Sequence, residues 1–180
     1  MIRIIGGVYK GRYLDIPNSK VTRPTMDKVR QAIFNVLHNK PTNAICCDLF
    51  AGSGAMGLEA LSRGARKCYF IDKDRQTFFT MKGNVKNLEI PEDRFELFLG
   101  DYRVFIKRSS DLKLDILFLD PPYRMNINAD IIKDMTARDM FNDGAVIVSE
   151  QEPENEEIEG YEMKEYRYGA KHVAIYTKKD

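Results

Sequence analysis

Residues 44–57 read Ala44-Ile45-Cys46-Cys47-Asp48-Leu49-Phe50-Ala51-Gly52-Ser53-Gly54-Ala55-Met56-Gly57. A short apolar run ends on a carboxylate. Glycines then fall at 52, 54 and 57 with the spacing G-x-G-x-x-G, and an apolar-periodic segment follows. That order predicts a buried strand, a tight turn and a helix. Bare backbone in such a turn can approach a ligand closely, and the helix N-terminus favours negative charge.

About twenty residues further on, Asp72 ends a second apolar run, Cys68-Tyr69-Phe70-Ile71, where it could accept hydrogen bonds from ribose hydroxyls. A nicotinamide dinucleotide fits this much equally well, and so does a glycine turn that binds nothing. Asp48 argues against the dinucleotide. A carboxylate just ahead of the glycines would crowd a pyrophosphate, yet it suits a cationic ammonium. S-adenosyl-L-methionine carries an ammonium, a sulfonium and a ribose, and no phosphate.

A third stretch narrows the chemistry. Asp120-Pro121-Pro122-Tyr123 follows the apolar run Ile116-Leu117-Phe118-Leu119, which reads as a buried parallel strand. A carboxylate at that strand's carboxyl end lies where open α/β sheets bind ligands. The prolines stiffen the backbone and remove two N–H donors, leaving carbonyls free to accept. Acceptors beside an aromatic ring suit a planar base with an exocyclic amine. The plainer alternative is a strand stopped by a Pro-Pro turn, with a tyrosine in the core.

Composition restricts the remaining classes. With 180 residues, 43% hydrophobic and 31% charged, one globular domain is the expectation, spanning 1–180. No apolar run approaches the roughly eighteen residues that span a membrane, and Met1 to Arg12 lacks a signal-peptide core, so a cytoplasmic protein is expected. Cys46, Cys47 and Cys68 read as small core residues in strands rather than a disulfide framework. With only His38 and His172 and no Cys/His cluster, no metal site is expected; His38 reads as a helix-end residue.

The net charge of +1 conceals a segregation. The first forty residues carry Arg3, Lys10, Arg12, Lys20, Arg23, Lys28, Arg30 and Lys40 against Asp15 and Asp27, whereas Glu150 to Glu165 is rich in glutamate. A polyanion docking at one end would account for it, although any single charge run is usually a solvated face.

Along the chain, Ile2 to Ile16 predicts a β-hairpin turning near Tyr9-Lys10-Gly11, and Thr25 is placed to cap a helix bearing Val29, Ala32, Ile33, Val36 and Leu37. Strands near 44–49, 67–71, 95–99, 115–119 and 144–149 alternate with helices near 54–63, 74–88, 101–108 and 128–139. Gly64, Asp74 and Asn128 are the expected caps. This is an α/β pattern with a parallel sheet covered on both faces. Tyr161 to Tyr168 and His172 to Tyr176, joined at Gly169, predict an antiparallel edge hairpin.

Together the glycine-loop and Asp-Pro-Pro-Tyr motifs resemble the S-adenosylmethionine-dependent, amine-directed nucleic-acid methyltransferases. Arg3-Ile4-Ile5-Gly6-Gly7, Lys10-Gly11-Arg12, Thr22-Arg23-Pro24-Thr25, Arg30 to Leu37 and Leu58 to Ala65 narrow the likeness to the bacterial 16S ribosomal RNA guanine-N2 methyltransferases of the RsmD type. The resemblance covers essentially the whole chain. It implies a Rossmann-like class I methyltransferase sheet of seven strands with a reversed last strand, preceded by an RNA-docking extension over 1–40 and with the catalytic sheet over 41–180. It implies a cofactor site at Asp48, Gly52 and Gly54, Asp72 on the ribose, and Asp101 with Tyr102 at the adenine. Asp101 taken alone reads as an N-cap. Asp120, Pro121 and Tyr123 would hold the target base, with Thr22 to Thr25 at the mouth of the site. Arg3, Lys10, Arg12, Arg23 and Arg30 would meet phosphates of 16S rRNA or the small ribosomal subunit particle. Glu59 reads as an exposed helix residue, as readily structural as functional. The alternatives are a DNA adenine-N6 or cytosine-N4 methyltransferase, disfavoured because no sizeable extra domain remains to read DNA, and a non-catalytic RNA-binding module.

Overall fold

The apolar run ending at Asp48 forms an interior strand of a seven-stranded sheet in the computed structural model, which describes residues 2–17, 24–122, 126–150 and 155–180. The elements are β1 (Ile2–Arg3), β2 (Tyr13–Leu14), α1 (Pro24–Leu37), β3 (Ile45–Asp48), α2 (Ala55–Ser62), β4 (Lys67–Asp72), α3 (Arg75–Asn87), β5 (Phe95–Leu99), α4 (Tyr102–Arg108), β6 (Leu114–Leu119), α5 (Asn128–Ala137), β7 (Phe141–Glu150), β8 (Tyr161–Tyr168) and β9 (Lys171–Lys178). The sheet order is β5-β4-β3-β6-β7-β9-β8. Strands β3 to β7 pair in parallel, and β9 runs antiparallel to both β7 and β8. The chain therefore builds outward from β3 to β5, then crosses over to lay β6 on the other side of β3. Ligands of open α/β sheets bind at such a switch point, outside the strand carboxyl ends.

Two apolar clusters cover the two sheet faces. One joins Val29, Ile33 and Phe34 of α1 to Leu58 and Leu61 of α2 and Met81 and Val85 of α3; the other holds Phe105 and Ile106 of α4 with Ile131, Ile132 and Met135 of α5. The first cluster also takes Ile2, Ile4 and Leu14, all buried. Each such side chain stabilises the packing by about 1.5–3 kcal/mol, so the N-terminal segment is part of the core layer. The three cysteines are buried, and burial raises each thiol pKa. Among the described residues, no helix is long and apolar enough to cross a membrane, and no group of His, Cys, Asp or Glu is arranged to hold a metal.

Several local expectations differ from what forms. The hairpin pairs only at Ile2–Leu14 and Arg3–Tyr13; beyond that, Ile4 N–H bonds Arg12 O and Gly11 N–H bonds Ile4 O around a loop. Helix α1 already includes Pro24, so Thr25 lies inside it; a proline is well suited to a first turn, where its missing N–H costs nothing. Asn128 is likewise not the cap of α5, which is Ile127. Its side chain turns inward instead and donates to Ser149 Oγ and Glu150 O. Strand β7 begins at Phe141, before the expected start, because Gly144 at φ 75° and a register shift opposite Leu114 to Ile116 let it continue through polar residues. Asp74 does cap α3, accepting from Thr77 N–H, and Gly64 at φ 103° follows α2.

Candidate active site

The carboxyl ends of the parallel strands carry a row of acids: Asp48 ends β3, Asp72 ends β4, Asp120 follows β6 and Glu150 ends β7. Asp48 pairs with Phe118 across β3 and β6, so the glycine loop and the Asp-Pro-Pro turn leave the sheet side by side. Between them lies a cleft of about 580 Å³. It is lined by Leu49, Phe50, Gly52, Ile71, Asp72, Asp101, Tyr102, Asp120 and Pro122, among others. This size is within the usual range for a small-molecule site.

The loop geometry follows from its glycines. Gly54, at φ 84°, caps α2 in the left-handed region, which a side chain rarely adopts. Gly57 lies so close to β4 that a Cβ would fall 2.4 Å from Phe70 Cε1 and 2.7 Å from Cys68 Sγ, so only glycine lets α2 pack there. Asp72 then fastens the turn: one carboxylate oxygen accepts from Gly52 N–H at 3.0 Å and the other from Asp74 N–H at 2.9 Å. A carboxylate has lone pairs to spare after two such bonds.

Asp48 is placed differently from a simple cleft residue. Only 4% exposed, it sits behind the loop, accepts from Gly57 N–H at 3.1 Å and does not line the cleft. Burial pushes its pKa up to about 8, against the Gly57 bond that lowers it; the charges of Asp120, Asp72 and Glu150 add to the rise. Gly54 also falls outside the cleft lining, whereas Gly52 is part of it.

Also lining the cleft, Phe50 and Tyr102 lie with ring centroids 5.2 Å apart. Asp101 is the N-cap of α4, bonded to Arg103 N–H at 2.8 Å and to the Arg103 guanidinium, and these bonds hold its pKa down to about 2. Its capping role is thus realised, and its carboxylate also borders the cleft.

Asp120 keeps 54% of its side-chain surface open, and that surface belongs to the concave cleft. The surrounding protein desolvates it and pushes its pKa up to about 7; Glu150 adds to the rise and Lys171 opposes it. Pro121, next in the chain, is buried. Two residues beside Asp120 were not foreseen from sequence. Lys171 Nζ lies 2.7 Å from Glu150 Oε2 and 3.9 Å from Asp120 Oδ2. Glu150 was detectable as another acid ending a parallel strand. Lys171 had no such signal, since it begins a reversed strand. Tyr123, Arg23 and the Thr22 to Arg23 loop lie outside the described residues.

The N-terminal basic residues divide. Arg3 is 59% exposed, Lys10 is exposed, and exposed Arg12 donates to Asn87 O at 2.8 Å. Arg30 does not belong with them. It is buried, donates to Glu59 at 3.2 Å and to Asp27 at 3.1 Å, and also bonds Arg3 O. Glu59 is no exposed helix residue either: it is fully buried and accepts from Ile5 N–H, Gly6 N–H, Arg30 and Arg63. Charge alone does not tell a docking arginine from one paired inside the fold. Of the acid's partners, only Arg63 is near it in sequence; Ile5, Gly6 and Arg30 come from remote segments.

Similar proteins have the same architecture. The chain is 37% identical over 154 residues to the Ribosomal RNA small subunit methyltransferase D of Escherichia coli strain K12, covering 86% of this chain and 76% of that protein. It is 34% identical over 152 residues to the protein of the same name from Haemophilus influenzae, covering 84% and 79%. Among solved structures, the "Putative methyltransferase yhhF from Escherichia coli" superposes with a TM-score of 0.86 at 30% identity, over 99% of this chain and 98% of that one. The family model described as Conserved hypothetical protein 95 matches residues 2–177, so the chain belongs to that RsmD-type family.

Proposed function

We propose that this protein is an S-adenosyl-L-methionine-dependent ribosomal RNA methyltransferase that methylates the exocyclic N2 amine of a guanine in 16S rRNA. The observation that carries the reading is the shared cleft: Gly52 and Asp72 of the glycine loop and Asp120 and Pro122 of the Asp-Pro-Pro turn face one cavity. The donor set fits the cofactor. Asp72 retains acceptor capacity for ribose hydroxyls, Phe50 and Tyr102 offer an aromatic wall to an adenine, and Asp101 lies at its edge. Asp48, buried beneath the loop with Gly54 and outside the cleft lining, is the carboxyl that the ammonium end would have to approach through the glycine loop. The bound cofactor supplies an electrophilic methyl group.

The chain's own residues then orient the acceptor base. A guanine N2 lone pair is delocalised into the ring and makes a poor nucleophile. Hydrogen bonds from the amine to Asp120 and to the Pro121 carbonyl favour a pyramidal nitrogen and stabilise the positive charge it develops. Tyr123 stacks on the ring, an interaction of about 1–3 kcal/mol in other base–aromatic pairs. The base must leave its stack to reach the cleft, and an RNA loop makes that inexpensive. Arg3, Lys10, Arg12 and Arg23 meet phosphates of 16S rRNA or of the small-subunit particle. The relatives named for small-subunit ribosomal RNA favour RNA over DNA as the acceptor. Labelled methyl transfer to total RNA and to DNA tests the reading; label confined to DNA contradicts it.

A further inference from the structure

Among the described residues, a cation and a second carboxylate stand beside Asp120 at the border of the cleft, a set that the motifs do not explain. Strand β9 runs against β7, so its first residue rather than its last reaches the active edge of the sheet. That residue is Lys171. Glu150, mostly buried at the end of β7, grips the ammonium at 2.7 Å. The ammonium stands 3.9 Å from Asp120 Oδ2, beside the carboxylate rather than tightly bonded to it. Lys171 is about half exposed, so a base seated against Asp120 can reach its ammonium.

A carboxylate has two acceptor oxygens, and an ammonium is a donor only. Asp120 and Lys171 together thus present acceptor, acceptor, donor in a row. Guanine's Watson–Crick edge is the complement: the N2 amine donates, N1–H donates and O6 accepts. Adenine offers an amine, then the acceptor N1, then a C–H. Cytosine offers an amine, then the acceptor N3, then a carbonyl. In both, an acceptor would face the second Asp120 oxygen, and unlike guanine each leaves at least one polar position unmatched.

We propose that Lys171, held by Glu150, reads the O6 of the target guanine while Asp120 accepts from N1–H and N2–H, which makes Lys171 a specificity-determining residue and Glu150 its positioning residue. This rests on the placement of the target amine at Asp120 given under the proposed function.

The test compares two target bases. Small-subunit particles are reconstituted with rRNA carrying, at the position the enzyme methylates, either guanine or 2-aminopurine. The analogue keeps the N2 amine but lacks O6 and N1–H. The readout is the ratio of kcat/KM for guanine over 2-aminopurine. The unaltered enzyme should prefer guanine strongly. Lys171→Met should lower that ratio by about 10-fold or more, the size of a missing hydrogen bond to a charged group. Glu150→Gln should lower it less, and Lys171→Arg, which still donates, should restore most of it. If Lys171→Met lowers both substrates in the same proportion, the lysine acts only on Asp120 or on phosphate, and the inference is overturned. No transfer to guanine by the unaltered enzyme overturns the proposed function as well, which separates the two failures.

Discussion

Asp48 accepts a hydrogen bond from Gly57 N–H at 3.1 Å, tying the end of β3 to the first turn of α2 beneath the glycine loop. With a pKa pushed up to about 8 by burial, this carboxyl should carry its proton at neutral pH in the free protein. A cationic ammonium brought close favours the carboxylate, so cofactor binding should expel that proton. Affinity should therefore fall as pH drops below about 8, by up to about tenfold per unit. Calorimetry at pH 7 in buffers of different ionisation enthalpy measures the proton directly. Heats independent of buffer would remove Asp48 from the ammonium site.

Asp120 yields a second pH dependence. Its pKa is raised to about 7, so the acceptor form is depleted below that value and complete above it. The kcat/KM for RNA should rise with pH through about 7 and then level off, since this ratio reports the free enzyme. Asp120→Asn should lower turnover by about 100-fold or more while cofactor affinity holds. Near-normal turnover in that variant would place the chemistry elsewhere.

Glu59 and Arg30 should report on folding rather than on RNA. Removing the acid takes a carboxylate from Arg30 and Arg63, although Arg30 keeps Asp27, and deprives the amides of Ile5 and Gly6 of their acceptor inside the fold. Glu59→Ala should cost about 3–5 kcal/mol of stability, measured by urea unfolding. A cost below about 1 kcal/mol would mean that water replaces the carboxylate.

The exposed basic residues should behave in the opposite way. Replacing Arg3, Lys10 and Arg12 together should weaken RNA binding and flatten its salt dependence, the slope changing by about 0.7–0.9 for each phosphate no longer neutralised. Cofactor binding should survive. An unchanged slope would assign these side chains to an ordinary solvated face.

Residues that act through a local pattern were legible in the sequence. The glycines at 52, 54 and 57, the strand-ending Asp72 and Asp120, and the cap at Asp74 each follow from rules spanning a few positions, and all sit at the expected turn, strand ends and cap, although Gly54 stays outside the cleft lining. The parallel sheet with a reversed edge was equally legible from the alternation of elements. Residues whose role depends on distant partners were not. Arg30 belongs to a basic run by sequence, yet the acid that buries it lies 29 positions away. Asn128 looks like a cap, but Ser149 on a neighbouring strand takes its side chain. Lys171 reaches Asp120 only because β9 folds back along β7, a consequence of topology that no short window contains.

The most direct test of the central claim is nucleoside identification. Small-subunit particles from cells lacking this protein would be incubated with the enzyme and labelled S-adenosyl-L-methionine, and their RNA digested for mass spectrometry. Label should appear in N2-methylguanosine and be abolished by Asp120→Asn. Label in N6-methyladenosine or in a cytosine nucleoside would contradict the guanine assignment, and no label in RNA would contradict the methyltransferase reading itself.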